Sequence, residues 1–306
     1  MKTVLVAGGS GFIGQAVLKA LSGQNFEVHA VYHTKSGSSS NITWHKANLL
    51  NAEEVSALFE RLRPEFLIQL AWCTGQQTYW KDPANFDWIT ANFNIAQNFV
   101  KNGGIRCLFG GTSAEYDWSG GAPLNEHTTP LNPLLLYGGS KLALYWVLTR
   151  YFEQEKISFC WTRFFNPFGQ GEDSGRLIPK TCLRLLRGDK IDFDAGLSQR
   201  DFLHISDVGE AVVHTLTSKL SGAVNVASGL PISIREVITA IGEYYQKAEL
   251  ITFSKNNNSQ SIPDFVVANT KRLNEEAGWS PSINFKLRLA ETCEWWKRQY
   301  KNQDTK

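Results

Sequence analysis

The stretch "TVLVAGGSGFIGQAVLKALSG", residues 3–23, constrains this chain more than any other. A short β-branched run gives way to glycines at 8, 11 and 14, then to apolar positions at helical spacing that stop at Gly23. "EVHAVY" follows as a second strand, so the chain opens with a βαβ unit. Two parallel strands joined through a helix demand a sheet whose faces are covered by helices. The fold class expected is α/β, built on a doubly wound parallel sheet.

The alternation continues. "NAEEVSALFERL" (51–62) has helical spacing, "FLIQLAW" (66–72) is a buried run, and "NFDWITANFNIAQNFVKN" (85–102) is helical again. The strand "IRCLFGG" (105–111) precedes a Gly- and Pro-rich loop over 117–134. The helix "YGGSKLALYWVLTRYFEQEK" (137–156) and the strand "SFCWTRFF" (158–165) complete six βα-type units. Beyond residue 166 the pattern breaks into glycine- and proline-punctuated loops, short strands and separate helices. We expect a Rossmann-type domain over 1–165 plus about 201–228, and a smaller α+β lobe over about 166–200 and 229–306. "SKNNNSQS" (254–261) is expected to be a surface loop or a disordered segment.

Composition serves mainly to exclude. The 306 residues carry a net charge of +2 with no Lys/Arg block, which argues against a nucleic-acid or polybasic membrane footprint. No apolar run approaches a spanning helix, and the N-terminal apolar stretch is too short for a signal peptide. Five scattered cysteines (73, 107, 160, 182, 293) lack a C-x-x-C pair, so a reduced, cytoplasmic protein without a metal site is expected. Ten Trp and nine Tyr would suit a site that stacks on rings, although core packing uses them equally well.

"GGSGFIG" sits between the first strand and its helix. Its glycines permit a tight turn and close approach to a pyrophosphate, and the helix N-terminus supplies N–H groups and partial positive charge. Gly8, Ser10, Gly11, Phe12, Ile13 and Gly14 are therefore candidate dinucleotide contacts. A carboxylate at the end of the second strand would grip both ribose hydroxyls and favour NAD(H). Here that place reads "VYHTKSG", with no acid; His33 and Lys35 could hold a 2′-phosphate instead. NADP(H) is the preferred cofactor, with NAD(H) as the alternative.

"YGGSK" places Tyr137 and Lys141 four residues apart on one helical face. An ammonium beside a phenol favours the phenolate, so the tyrosine is expected to titrate below its ordinary value of ~10 and to act as a general acid or base.

With these pieces in order, the chain resembles the extended short-chain dehydrogenase/reductase family of sugar-nucleotide epimerases, dehydratases and reductases. The resemblance rests on "GGSGFIG", "KANLLNAEEV", "LIQLAW", "GGTSAEY", "YGGSK", "RFFNPFG", "QRDFLHISD" and "NVASG", with "VANTKRLNEEAGWSP" in the C-terminal lobe. It implies that Thr112 bonds the substrate oxygen beside the Tyr137–Lys141 pair. It places Asn48, Leu49, Leu70, Ala71, Trp72 and Asn92 on the cofactor, Asn48 standing where the family often has an Asp. It also assigns Ser113, Tyr79, Asn166, Arg176 and Arg200 to a nucleotide-diphosphate sugar, and it implies a homodimer through the helices near 86–100 and 142–152. For Arg200 the alternative is a surface ion pair with Asp201.

The family's 4,6-dehydratases resemble one another in a Thr-Asp-Glu-x-Tyr run at the strand end, where the acids eliminate water. This chain has Ser113 and Ala114 there, and Glu115 falls one residue late, on the opposite face if the strand continues. That reading disfavours dehydration, and Glu115 is expected to anchor its loop. Two enzymatic readings stay open, a ketoreductase and an NAD-dependent C4 epimerase, beside a non-catalytic dinucleotide-binding relative. The wording "GTSAEYDW", "PLLLYGGSKLAL" and "RFFNPFGQGEDSGRLIP" is similar to a narrower group, the abequose, 6-deoxytalose and 6-deoxyheptose synthases. That similarity implies NADPH-dependent reduction of a nucleotide-linked 4-keto-6-deoxy sugar at C4. In "GQQTYWKDPANFDWIT" (75–90), Tyr79, Trp80 and Trp88 are expected near the cleft.

Overall fold

The computed structural model of the protein describes residues 1–37, 41–73, 78–193, 196–254 and 263–303. Its first half builds a sheet from β1 (Lys2–Ala7), β2 (Phe26–Tyr32), β3 (Thr43–Lys46), β4 (Phe66–Gln69), β5 (Arg106–Thr112) and β6 (Ser158–Phe164). Between these strands run α1 (Phe12–Leu21), α2 (Ala52–Leu62), α3 (Ala84–Lys101) and α4 (Leu136–Gln154). The second half supplies β7 (Asn166–Phe168), α5 (Leu177–Arg187), β8 (Ile191–Phe193), β9 (Gln199–His204), α6 (Ile205–Thr217), β10 (Gly222–Val226), β11 (Pro231–Ser233), α7 (Ile234–Tyr245), β12 (Ile251–Phe253), β13 (Phe265–Val266), α8 (Lys271–Glu275) and α9 (Phe285–Gln303).

The main sheet has seven strands in the order β10-β6-β5-β4-β1-β2-β3, all paired in parallel. This is the expected doubly wound α/β fold. In β1, Val4 and Val6 join the core on one face while Leu5 and Ala7 join the core on the other. Strand alternation on a sheet covered on both sides thus explains an unbroken apolar run. The order reverses between β1 and β4, which opens a crevice at the carboxyl ends of these strands. The edge strand β3, with half-buried Trp44 and His45, was not singled out in the sequence: four residues give too short a pattern.

Helix α6 crosses back to pack on α1, and a Cβ at Gly209 would strike Ala16 O at 2.4 Å. That contact ties the loop-bearing α1 to the far end of the chain. A separate sheet places β9 between β11 and β13, with β7 also paired to it. Phe168, Cys182, Val237, Ile241, Cys293 and Trp296 form a separate core under α5, α7 and α9. Ser233 and Glu236 close a capping box that starts α7. Residues 255–261 of the expected surface loop lie outside the described residues. Among the described residues no helix is long and apolar enough to cross a membrane.

Candidate active site

A cavity of about 1260 Å³ lies over the carboxyl ends of β1, β4 and β5. Its floor is the glycine loop. Gly8 has φ +81°, and a Cβ there would meet Ala71 N at 2.6 Å; a Cβ at Gly14 would meet Gly8 O at 2.1 Å. Only glycine allows the loop to nest between α1 and the end of β4. Gly11 N–H donates to Gly8 O at 3.0 Å, and Gly11 caps α1 without a side-chain acceptor or any acid in the first turn. The uncapped N–H groups and the positive helix end therefore serve the cavity. Gly8, Ser10, Gly11, Phe12, Ile13 and Gly14 all line it.

Beyond the loop the wall is made by Tyr32 and His33 after β2, Asn48 and Leu49 after β3, and Leu70, Ala71 and Trp72 after β4. Asn48 is engaged in its own turn: its Oδ1 accepts from Leu50 N–H at 3.1 Å, while its N–H donates to Glu54 Oε2 at 2.8 Å. Two expected cofactor residues are not on the wall. Lys35 is exposed, in the chain leaving β2, and does not reach the cavity. Asn92 is buried in α3, accepting from Gln69 Nε2 at 2.9 Å and donating to Trp88 O at 2.7 Å, so it supports the end of β4 from behind. The cradle, helix end and apolar walls fit a dinucleotide.

The chemical centre lies at the end of β5. The Tyr137 phenol and the Thr112 side chain face each other at the cavity. One turn along α4, Lys141 Nζ donates to Gly110 O at 2.7 Å. Tyr79 and Trp80 stack on each other at 4.8 Å and meet the Tyr137 ring edge-on at 4.9 and 5.5 Å. This cover decides the protonation of both groups. Burial pushes the Tyr137 phenol well above its ordinary range, with Tyr79 adding to the shift and the Thr112 side chain opposing it. Burial also pulls Lys141 down to about 7, against the raising influence of Glu115 and Cys73. The expected lowering of Tyr137 by its neighbouring ammonium is not found: burial raises the phenol, and Lys141 is not among the groups that shift it.

Residues 113–115 form a single 3-10 turn rather than more strand. Thr112 caps it, accepting from Ala114 N–H at 3.2 Å, while the Glu115 carboxylate accepts from Thr112 N–H at 2.7 Å. Glu115 is fully buried; it also accepts from Trp161 Nε1 at 3.0 Å and from Arg163 Nε at 2.7 Å. Arg163 in turn donates to Tyr116 OH at 2.9 Å. Glu115 is therefore the anchor of the turn. Winding of the backbone, not strand alternation, directs it away from the cavity. Ser113 and Ala114 are both buried, and Ser113 lines the cavity.

At the other end the wall includes Tyr79, Asn166, Arg176 and Arg200. Asn166 Nδ2 donates to Asp201 O at 3.0 Å, binding β7 to β9. The Arg176 guanidinium lies over the Tyr79 ring, 5.9 Å from its centroid. Arg200 does not pair with Asp201, whose carboxylate is fully buried and accepts from the N–H groups of Ser228, Gly229 and Ala268 at 2.7, 2.9 and 3.1 Å. Two guanidinium groups thus share the wall, a pattern suited to a diphosphate.

Other wall residues were not anticipated, Trp118, Leu135 and Glu172 among them. Glu172 is buried, and burial pushes its carboxyl up to about 8 against the opposing effect of Arg176. Its Oε2 has no hydrogen-bond partner among the described residues. An acid four residues before Arg176 in "GEDSGR" was the available signal, but surface loops carry such acids commonly. Among the described residues no cluster of three or more His, Cys, Asp or Glu side chains suits a metal ion.

The profile of the NAD dependent epimerase/dehydratase family matches residues 4–227. The chain is 24% identical to UDP-glucuronic acid decarboxylase 1 of Danio rerio over 316 residues, covering 99% of this chain and 74% of that protein. It is 26% identical to putative GDP-L-fucose synthase 2 of Arabidopsis thaliana, covering 96% and 91%. Among solved structures, UDP-glucose 4-epimerase of Thermotoga maritima with UDP-glucose superposes with a TM-score of 0.86. It covers 97% of this chain and 99% of that one at 20% identity. That likeness establishes the fold.

Proposed function

We propose a specific reaction from one premise: the chain belongs to the NAD dependent epimerase/dehydratase family. Within that family of sugar-nucleotide enzymes, the reading we favour is reduction, by NADPH, of the 4-keto group of a nucleotide-linked 4-keto-6-deoxy sugar. The observation that carries it is the strand end. Thr112 and Tyr137 line one cavity, the positions after Thr112 are Ser113 and Ala114, and the next acid in the sequence, Glu115, is locked to Arg163.

The glycine loop, the α1 N-terminus and the wall from Leu70 to Trp72 would hold the dinucleotide. When bound, it supplies hydride to a carbonyl carbon. The hydroxyls of Thr112 and Tyr137 would hold the carbonyl oxygen, and Tyr137 would give its proton to the oxygen as negative charge develops there. A phenol raised by burial is fully protonated at neutral pH, which suits a proton donor. Lys141 would lower the cost of the phenolate left behind. Arg176 and Arg200 would bind the diphosphate, and the Tyr79–Trp80 pair would keep water from the carbonyl. The absence of an acid at the end of β2, with His33 on the wall, favours NADPH over NADH. That preference does not rest on Lys35.

The test is incubation of the protein with NADPH or NADH and CDP-, dTDP- and GDP-linked 4-keto-6-deoxy sugars. Oxidation of NADPH by at least one of them, faster than of NADH, is expected; no oxidation with any would overturn the reading. The second reading, a C4 epimerase, is favoured by the superposition on UDP-glucose 4-epimerase and by the same three residues. Interconversion of C4-epimeric sugar nucleotides without added cofactor would establish it in place of the first.

A further inference from the structure

Lys141 is buried, yet no carboxylate pairs with it among the described residues, because Glu115 is committed to Arg163. Its ammonium lies instead between Gly110 O, at 2.7 Å, and the face of Trp72, 3.7 Å from the ring centroid. The indole is itself fixed. Trp72 Nε1 donates to Asn85 Oδ1 at 2.8 Å, and fully buried Asn85 donates onward to Tyr79 O at 2.8 Å and Asp82 O at 2.7 Å. Trp88 stacks on the Trp72 ring at 6.3 Å.

We propose that Trp72 is a positioning residue of the catalytic centre, its indole face, clamped by Asn85, holding the Lys141 ammonium beside Tyr137 in place of a carboxylate. The choice of partner has a chemical consequence. A carboxylate would hold the lysine but cancel its field, leaving little for a phenolate on Tyr137. An aromatic face attracts the cation through its quadrupole and leaves the full charge in place. Asn85 also fixes the backbone of Tyr79, so the same clamp sets the cover over Tyr137 and the cation behind it. The inference rests on the reading that Lys141 acts with Tyr137.

The charged and titratable groups that act on Lys141 are Glu115 from the turn after β5 and Cys73 beside Trp72; Asp82 and Asp87 act on Cys73, and Tyr137 lies one turn earlier on α4. These residues stay in place when Trp72 is substituted, and because Trp72→Phe and Trp72→Leu both lose the Asn85 hydrogen bond, the difference between those two variants reports the ring face. Lysines carrying carbon-13 at Cε are titrated by NMR, with the Lys141 signal identified by its loss in Lys141→Met. Trp72→Phe keeps an aromatic face and should leave the titration within about half a pH unit. Trp72→Leu keeps the site dry but removes the face, and should lower the titration by about one pH unit. Trp72→Ala admits water and should raise it.

An unchanged or raised titration in Trp72→Leu overturns the proposal. If that variant does not fold, fluorinated tryptophans incorporated at all ten positions keep the shape and drain the ring face. A Lys141 titration that falls with each added fluorine supports the proposal, and one that does not move overturns it. In a chain that turns over a 4-keto substrate, Trp72→Leu should also lower kcat about tenfold with little change in KM. A wild type that turns over none of those substrates counts against the reductase reading, while the titration still decides whether Trp72 holds the cation.

Discussion

At Tyr137 the phenol sits beneath Tyr79 and Trp80 with Thr112 facing it, so loss of the hydroxyl removes the proton donor and little packing. Tyr137→Phe should lower kcat by about 100-fold or more while KM changes little; near-normal turnover would remove its role. Glu172 makes a different prediction. Its carboxyl titrates near 8 in the folded chain against an ordinary value of 4.5, so the folded state binds the extra proton. Stability from this group is complete below pH ~4.5 and is lost as pH rises through ~8. Glu172→Gln should therefore gain Tm relative to wild type between pH 5 and pH 8.5; a constant difference across that range would show that Glu172 is not held neutral. The spacing of Tyr137 and Lys141 was legible in sequence because a helix repeats. Burial of both groups was not, since it depends on rings brought from a loop some sixty residues away.

The turn after β5 shows how one element sets a site. Five residues, Thr112 to Tyr116, place the hydroxyl residues Thr112 and Ser113 at the cavity and one carboxylate, Glu115, in the core. Glu115→Ala would leave Arg163 buried and uncompensated, which costs about 3–5 kcal/mol. The double variant Glu115→Ala/Arg163→Met should recover a good part of that loss in denaturant unfolding. If the two changes simply add, the pair is not coupled and the turn is anchored otherwise. Sequence reading placed every helix of the main sheet but took the turn for strand. A three-residue 3-10 helix has no periodicity to read, and its geometry is fixed by Glu115 meeting Trp161 and Arg163 on the neighbouring strand β6.

On the scale of the whole molecule, α3 and α4 lie side by side and leave Phe86, Trp146 and Val147 more than half exposed. We propose that this face joins two copies of the chain. Sedimentation should give a dimer, and Trp146→Glu should shift it toward monomer; a monomeric wild type would sink the proposal. By itself, the sequence determined the parallel doubly wound sheet and the glycine cradle, and it set Tyr137 and Lys141 on one helical face. The first two follow from local periodicity and glycine's backbone freedom, the pair from helical spacing, while Thr112 entered only through the family resemblance. Tertiary structure alone decided which charges the site keeps. Glu115 went to Arg163, Asp201 turned from Arg200 to three backbone N–H groups, Lys35 stayed in solvent, and Lys141 was left with Trp72. Such choices depend on which groups share a dry space, and that is set by contacts between residues far apart in the chain.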